Sequence, residues 1–291
     1  MDISSSVKLI NHVVCLRRIF VALAFGLSQF SQANVDIGYS YAFPAKADPG
    51  FEIIKQDISV EGNWLVAKTE DNMSFYTAGA GVYDTHLQFD VRLHDLDLIK
   101  VKGMVSGSYI WPSKTMLNWT LSPGWHGEAD DLAGADFRVE GQAMVMLPAN
   151  NIQWILGAGY AESFGQPRFF PLLGGIISAE QSKLTLMFPL LKYELKSAGK
   201  NTYWGSIKPD GAQWGYNANE LAANTDPAQL SLSGIKYSLG TDQLLNAQNT
   251  ISFEAGIITN RQLKVSNAND DSRSATLNLE NAWFVRLGVK I

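Results

Sequence analysis

Much that would point to a soluble enzyme or a helical membrane protein is missing from this chain. It has one cysteine, Cys15, in 291 residues. Beyond that position, neither a disulfide framework nor a thiolate metal site is available. No run approaches the roughly 20 apolar residues that a membrane-spanning helix needs. Charged residues make up only 18%, and the mean hydropathy is −0.04, which suits neither a disordered chain nor a helical membrane protein. Phosphate-binding glycine loops, zinc spacings and basic clusters are absent, and Gly79-Ala80-Gly81 is too short to count as a loop motif. No cofactor is implied. With a net charge of −5, nucleic acid is a poor candidate partner.

What the chain does have is aromatic residues and glycine: eight Trp, ten Tyr, fourteen Phe and 25 Gly. That composition leans towards a β protein. The N-terminus reads as an export signal. Lys8, Arg17 and Arg18 precede a short apolar core, Ile19 to Leu27, and Ser31-Gln32-Ala33 places small residues at a cleavage site. The alternative is a cytoplasmic protein with a buried N-terminal helix, but the run is short and its flanks are in signal order. Arg17-Arg18 resembles a twin-arginine signal, yet Leu16 stands where that motif has Ser or Thr, and the pathway carries folded cargo. Cys15 is too early, and has the wrong neighbours, for a lipid anchor. Residues 1–33 hold three of the 23 Lys/Arg and one of the 28 Asp/Glu, so the mature chain 34–291 carries 20 basic against 27 acidic residues.

The last nine residues organise the rest. Trp283, Val285, Leu287, Val289 and Ile291 share one side of an extended chain, and Arg286, Gly288 and Lys290 the other, because strand side chains alternate. The first mature segment mirrors them, with Val35, Ile37, Tyr39, Tyr41 and Phe43 opposite Asp36, Gly38, Ser40 and Ala42. Such a pair of terminal strands would be sticky edges in water, but together they can close a barrel whose apolar face meets lipid.

Between them, strand-like segments recur about every twenty residues. Ile58 to Val66 and the weaker Phe75 to Val82 come first. Leu87, Phe89, Val91 and Leu93 then alternate with His86, Gln88, Asp90, Arg92 and His94. Ile99 to Tyr109 returns, and a tight connection near Asp95 would make a hairpin with Asp90 and Arg92 near Lys100 and Lys102. Thr115 to Leu121, Phe137 to Leu147, Ile152 to Tyr160 and Leu184 to Leu190 follow. Pro123 to Ala135 reads as a polar loop, as does Asn217 to Gln229, while Tyr203, Trp204, Trp214 and Tyr216 hint at one hairpin. Leu230 and Leu232 switch parity with Ile235, Tyr237 and Leu239, which a bulge at Gly234 would explain. Ile251 to Ile257 restores the alternation.

The expectation is an all-β chain: a closed antiparallel transmembrane β-barrel of about twelve strands, within a range of ten to fourteen. A soluble periplasmic sandwich would alternate similarly. The signal, the aromatics at strand ends (Tyr39, Tyr109, Trp111, Tyr160) and the clean terminal strands favour the barrel.

One stretch carries a family resemblance. Phe170-Pro171-Leu172-Leu173-Gly174-Gly175, followed by Phe188-Pro189 and Tyr193, resembles an uncharacterised family of bacterial outer-membrane β-barrel proteins. In that family a Pro-Leu-Leu-Gly strand start and a Phe-Pro strand end bracket a central hairpin. The resemblance implies the outer membrane of a Gram-negative bacterium and no assigned chemistry. The C-terminal strand also looks like an outer-membrane assembly signal, though it ends in Ile291 rather than an aromatic. The partners so implied are outer-membrane lipid and the assembly machinery.

The candidate functional surface is the lumen, with Asp90, Arg92, Lys100, Lys102, Arg138, Glu140, Glu254 and Arg286 on inward faces. These charges either pair and fill a narrow interior or line a pathway for small solutes. The first choice is a narrow or partly plugged pore, with a mild anion preference from five basic against three acidic groups. A structural barrel with partner-binding loops is the alternative. His126, Glu128, Asp130 and Asp131 lack calcium-loop spacing and read as a solvated loop. Ser122 near His126 lacks a specified orienting group, so the chain reads as no enzyme, lipid hydrolysis being the weak alternative. N-terminal sequencing of the exported protein should begin at Asn34; a start before residue 15 would refute the signal.

Overall fold

The computed structural model describes residues 33–291 except 48–50, 70, 72, 91–94, 130–135, 198, 218–226, 247–248 and 268–273. The export-signal reading of residues 1–32 therefore lies outside the described residues, as do Arg92, Asp130 and Asp131. The described chain is strand, turn and loop throughout. In order come β1 (Ala33–Ala47), β2 (Phe51–Lys68), β3 (Ser74–Phe89), β4 (Leu96–Ile110), β5 (Met116–Glu128) and β6 (Asp136–Ala149). Next are β7 (Ile152–Ala161), β8 (Arg168–Ser178), β9 (Ser182–Phe188), β10 (Leu190–Lys196), β11 (Asn201–Pro209) and β12 (Ala212–Asn217). The last four are β13 (Pro227–Leu244), β14 (Thr250–Asn267), β15 (Ser274–Leu279) and β16 (Ala282–Lys290).

These sixteen segments form a closed antiparallel barrel of 14 strands. The count falls because two strands are each broken in two. β11 and β12 lie end to end along β13, and β15 and β16 lie end to end along β14. Tyr203, Trp204, Trp214 and Tyr216 thus belong to one broken strand, not to the hairpin expected from sequence. Fourteen sits at the top of the expected range. The barrel closes through β1 and β16, in register from Asp36↔Lys290 to Ala42↔Phe284. Val35 and Ile291 exchange backbone hydrogen bonds of 3.0 and 2.9 Å at one end of the barrel, its base.

Side-chain parity explains both the closure and a second feature. In β3 the outward residues nearest the base are Tyr76, Ala78, Ala80 and Val82, while Asp84, His86 and Gln88 continue the same face further up. The inward face does the reverse: Thr77, Gly79, Gly81, Tyr83 and Thr85 give way to Leu87 and Phe89. Leu87 is buried, and outward His86 meets outward Asp97 of β4 at 2.5 Å. The sequence reading put His86 and Gln88 on the same face as Asp90, which it assigned to the lumen; here that face looks out, because apolar and polar faces exchange sides partway along the strand. Apolar-outward is the pattern of a strand in lipid, and apolar-inward that of a sheet in water.

Above that exchange the barrel is filled. Ala47, Phe51, Ile53, Leu87, Leu98, Trp214, Ala228, Leu230, Leu232, Leu263 and Leu279 form one buried core at the far end. The bulge expected at Gly234 is present as a register shift between Ser233 and Ile235, and it turns Leu230 and Leu232 into this core. Pro123 to Glu128, expected as loop, continues β5 instead. Leu98 is fully buried, so Leu98→Ala should cost about 2–5 kcal/mol. A urea titration followed by the gel-mobility difference between folded and boiled barrel should show it; an unchanged midpoint would mean the far-end core contributes little.

Candidate functional site: an ion-paired chamber below the apolar core

Beneath the core lies an internal cavity of about 360 Å³. Its charged lining comprises Lys55, Lys100, Lys102, Lys236 and Arg286 with Asp57, Glu61, Glu140 and Glu162; Tyr83 and Trp214 add aromatic surface. Apart from Glu162, each of these charges sits where an inward strand position falls at the level of the polarity exchange. Lys100 and Lys102 come from β4, Arg138 and Glu140 from β6, and His126 pairs in register with both Lys100 and Asp136.

The group that gathers them is Glu162, in the loop 162–167 between β7 and β8. Its carboxylate accepts from Lys100 and from Arg138 Nη1 at 3.1 Å, and lies 3.2 Å from His126 Nδ1. It also accepts the Gln213 backbone N–H at 3.2 Å. Among the described residues β12 has no strand on that edge, so Glu162 satisfies a donor that would otherwise be buried and unmet. Arg138 bonds Gln213 Oε1 at 2.8 Å and Asp136 at 2.6 Å. Gln229 joins Gln213 at 2.9 Å and Asp136 at 3.3 Å. Glu140 accepts from Lys102 at 2.5 Å and from the Glu162 backbone N–H at 3.2 Å. The Lys100 ammonium also sits 4.7 Å from the Trp214 ring. Through these contacts β12 packs on the far end of β5, and the far end is drawn shut.

Local backbone makes this possible. β11 kinks into β12 at Asp210-Gly211, and a Cβ on Gly211 would lie 2.2 Å from the Gly165 nitrogen. Gly165 has φ of +86°, and its own Cβ would meet Ser233 at 2.7 Å, so loop and kink fit only as glycines. A second ion cluster stands across the chamber: Lys55 lies 3.1 Å from Asp57 and 3.9 Å from Asp210. Lys236 is 3.1 Å from Glu254, which Arg286 approaches at 3.8 Å.

Of the residues singled out from sequence, Lys100, Lys102 and Arg138 join Glu140 in the first cluster, and Glu254 and Arg286 stand in the second. Asp90 does not belong: it is exposed at the rim, accepting the Glu52 backbone N–H at 2.8 Å, because its parity is that of outward Gln88. Trp283, Leu287 and Ile291 are exposed on the outer wall, with Val285 and Val289 on the same face. Ser122 stands opposite Glu140 in the β5–β6 register, while His126 turns Nδ1 to Glu162. Sequence reasoning missed Lys55, Asp57, Asp210, Lys236 and Glu162. Lys236 was findable, since it alternates with Ile235 and Tyr237. Glu162 was not, because a loop residue has no parity to read.

No family model matches the chain, and no curated protein aligns with it significantly. Among solved structures, an outer-membrane channel from Pseudomonas putida F1 aligns over 89% of this chain and 96% of its own, at 7% identity and a TM-score of 0.44. The TodX monoaromatic hydrocarbon channel, as a mutant, aligns over 89% of both chains at 11% identity and a TM-score of 0.40. The translocator domain of the autotransporter NalP from Neisseria meningitidis aligns over 97% of this chain and 96% of its own, at 9% and 0.34. Likeness at this level concerns general shape, and nothing about ligand or cargo follows from it.

Burial alone would raise the Glu162 carboxyl, but Lys100 and His126 outweigh it and hold the group well below its ordinary value of 4.5. The folded state therefore binds this proton less tightly than the unfolded one. Its contribution is full above about pH 4.5 and is lost as pH falls through the lower folded value. Glu162→Gln should flatten the acid limb of a stability-versus-pH curve and cost about 3–5 kcal/mol at neutral pH. An unaltered acid limb would remove Glu162 from its central place.

Proposed function

We propose that this protein is an outer-membrane β-barrel pore for small polar solutes, with a hydrated lumen reached from the base and a far end held shut by the apolar core. The observation that carries this reading is the change of lining along the lumen. Towards the base the inward face carries small or polar residues such as Ser59, Thr77, Gly79, Ser106 and Thr120, interspersed with Met104, Met144, Met146 and Trp204. The ion-paired chamber comes next, and the packed core above it blocks the way. The outward belt supports a lipid setting: Leu239 is 74% exposed and Trp283 65%, as on the hydrocarbon-facing wall of a membrane barrel. Outer-membrane lipid and the assembly machinery are the partners this implies, with β16 as the strand to be recognised.

Five cations against four carboxylates in the chamber wall make it nearly balanced, so the fuller lining gives little anion preference. A structural barrel whose far-end extension binds a partner is the second reading, favoured by the solid core. Planar-bilayer recording separates the two. The wild type should show rare, weakly selective openings, and Trp214→Ala, which loosens the core and the Lys100 contact, should raise open probability about tenfold, the effect of some 1.4 kcal/mol. Silence from both proteins would overturn the pore and leave the structural barrel.

A further inference from the structure

The barrel wall has a gap. β9 and β10 are 7 residues each, whereas β1 to β6 run from 13 to 18. A tilted strand needs roughly 9–11 residues to cross hydrocarbon, so the β9–β10 hairpin ends short. On either side the wall goes on without it. β8 pairs with β9 only from Leu173 to Ser178, leaving Arg168 to Leu172 with no strand on that side among the described residues. β11 pairs with β10 only to Ile207. Prolines mark this rim: Pro167 and Pro171 on one side, Pro189 on the hairpin and Pro209 on the other. Each removes a backbone N–H that lipid could not satisfy.

One loop fills the gap. Phe164 stacks on Phe188 at 6.2 Å and meets Phe170 edge-on at 5.7 Å, and Arg168 lies 4.9 Å over its ring. Phe169 beside it is 81% exposed. Two residues before Phe164 stands Glu162, whose carboxylate is held by Lys100, Arg138 and the Gln213 N–H. Ser163 and Gly211 line the chamber, so this loop and the kink at Gly211 stand between chamber and gap. The segment 162–164 thus has the layout of an amphiphile, with an anionic head among cations and an apolar group towards lipid.

We propose that loop 162–167 is an internal stand-in for a single-tailed anionic amphiphile, which enters from the lipid through the gap above the β9–β10 hairpin. When the loop swings out, Lys100, Arg138, His126 and the Gln213 N–H remain as a ready-made site for a carboxylate or phosphate head. The tail lies along Phe170 and Phe188. The chamber, at about 360 Å³, falls within the usual size range of small-molecule sites. The proposal rests on the lipid setting inferred above, but not on conduction.

The test is photolabelling of the full mature protein in lipid nanodiscs with three probes: a diazirine-bearing hexadecanoate, the matching alkyl phosphate and the matching neutral alcohol. The anionic probes should label and the alcohol should not; the ratio of the two anions says whether a fatty-acid or a phosphate head is preferred. Glu162→Gln should raise anionic labelling about tenfold, and Lys100→Met should lower it by a similar factor, the range of one charge-assisted contact. Heat-modifiable mobility confirms that each variant is a closed barrel. Phe164→Ala, which leaves the ion cluster intact, should raise labelling as well, with adducts on Phe170 or Phe188. Equal labelling by the alcohol, or labelling indifferent to both Glu162→Gln and Phe164→Ala, overturns the proposal. A protein that conducts ions but fails to label sinks this site alone.

Discussion

Backbone hydrogen bonding between the first and last strands sets the terms for everything else in this molecule. Seven consecutive register pairs join β1 to β16, from Asp36↔Lys290 to Ala42↔Phe284, and they close the sheet where its first and last strands meet. In hydrocarbon no water is available to satisfy an open edge, and each unmet group costs several kcal/mol. Closure also fixes parity. Once β1 turns Tyr39 and Tyr41 outward, every neighbouring strand must follow in register, and Asp36, Gly38, Ser40 and Ala42 are committed to the interior.

Parity does not, however, decide which chemistry lies inside. The strands are longer than a bilayer requires, with 18 residues in β2, β13 and β14. They change solvent along their length, and the apolar face changes sides with them. Near the base it looks out; at the far end it looks in, and builds a core around Leu98 and Trp214. The charged residues collect where these two regimes meet. There side chains such as Lys100, Arg138 and Glu162 are largely buried in the wall of the chamber, and pairing takes the place of the hydration they lose. The broken strand β11–β12 fits the same scheme. It bends at Gly211 so that β12 lies over the chamber, one face on the apolar core and its edge on Glu162.

The wall was more legible in the sequence than the site. Strict alternation in Val35 to Phe43 and in Trp283 to Ile291 is a local signal, and two such segments at the ends of a chain imply closure. The inward parity of Lys100, Lys102, Arg138 and Glu140 could be read from their apolar neighbours Val101 and Val139. Asp90 misled because alternation was carried upward from Leu87 as though one face stayed apolar outward throughout. Periodicity reports that two faces differ, not which is wet. Pro123 was taken to end a strand, though on an outward position of a barrel it costs only one ladder bond. Glu162 and the kink at Asp210 depend on contacts across the lumen, between residues far apart in sequence, and no local pattern encodes them.

The exchange of faces along one strand is the claim on which the rest turns. Cys15 is the sole cysteine, so single cysteines can be placed along β3 from Tyr76 to Phe89 and spin-labelled, and their accessibility read to oxygen in lipid and to a water-soluble nickel complex. Positions 76, 78, 80 and 82 should favour oxygen and 84, 86 and 88 nickel, while 87 and 89 are shielded from both. Oxygen preference continuing unbroken through 84, 86 and 88, with 87 and 89 open to nickel, would contradict the account.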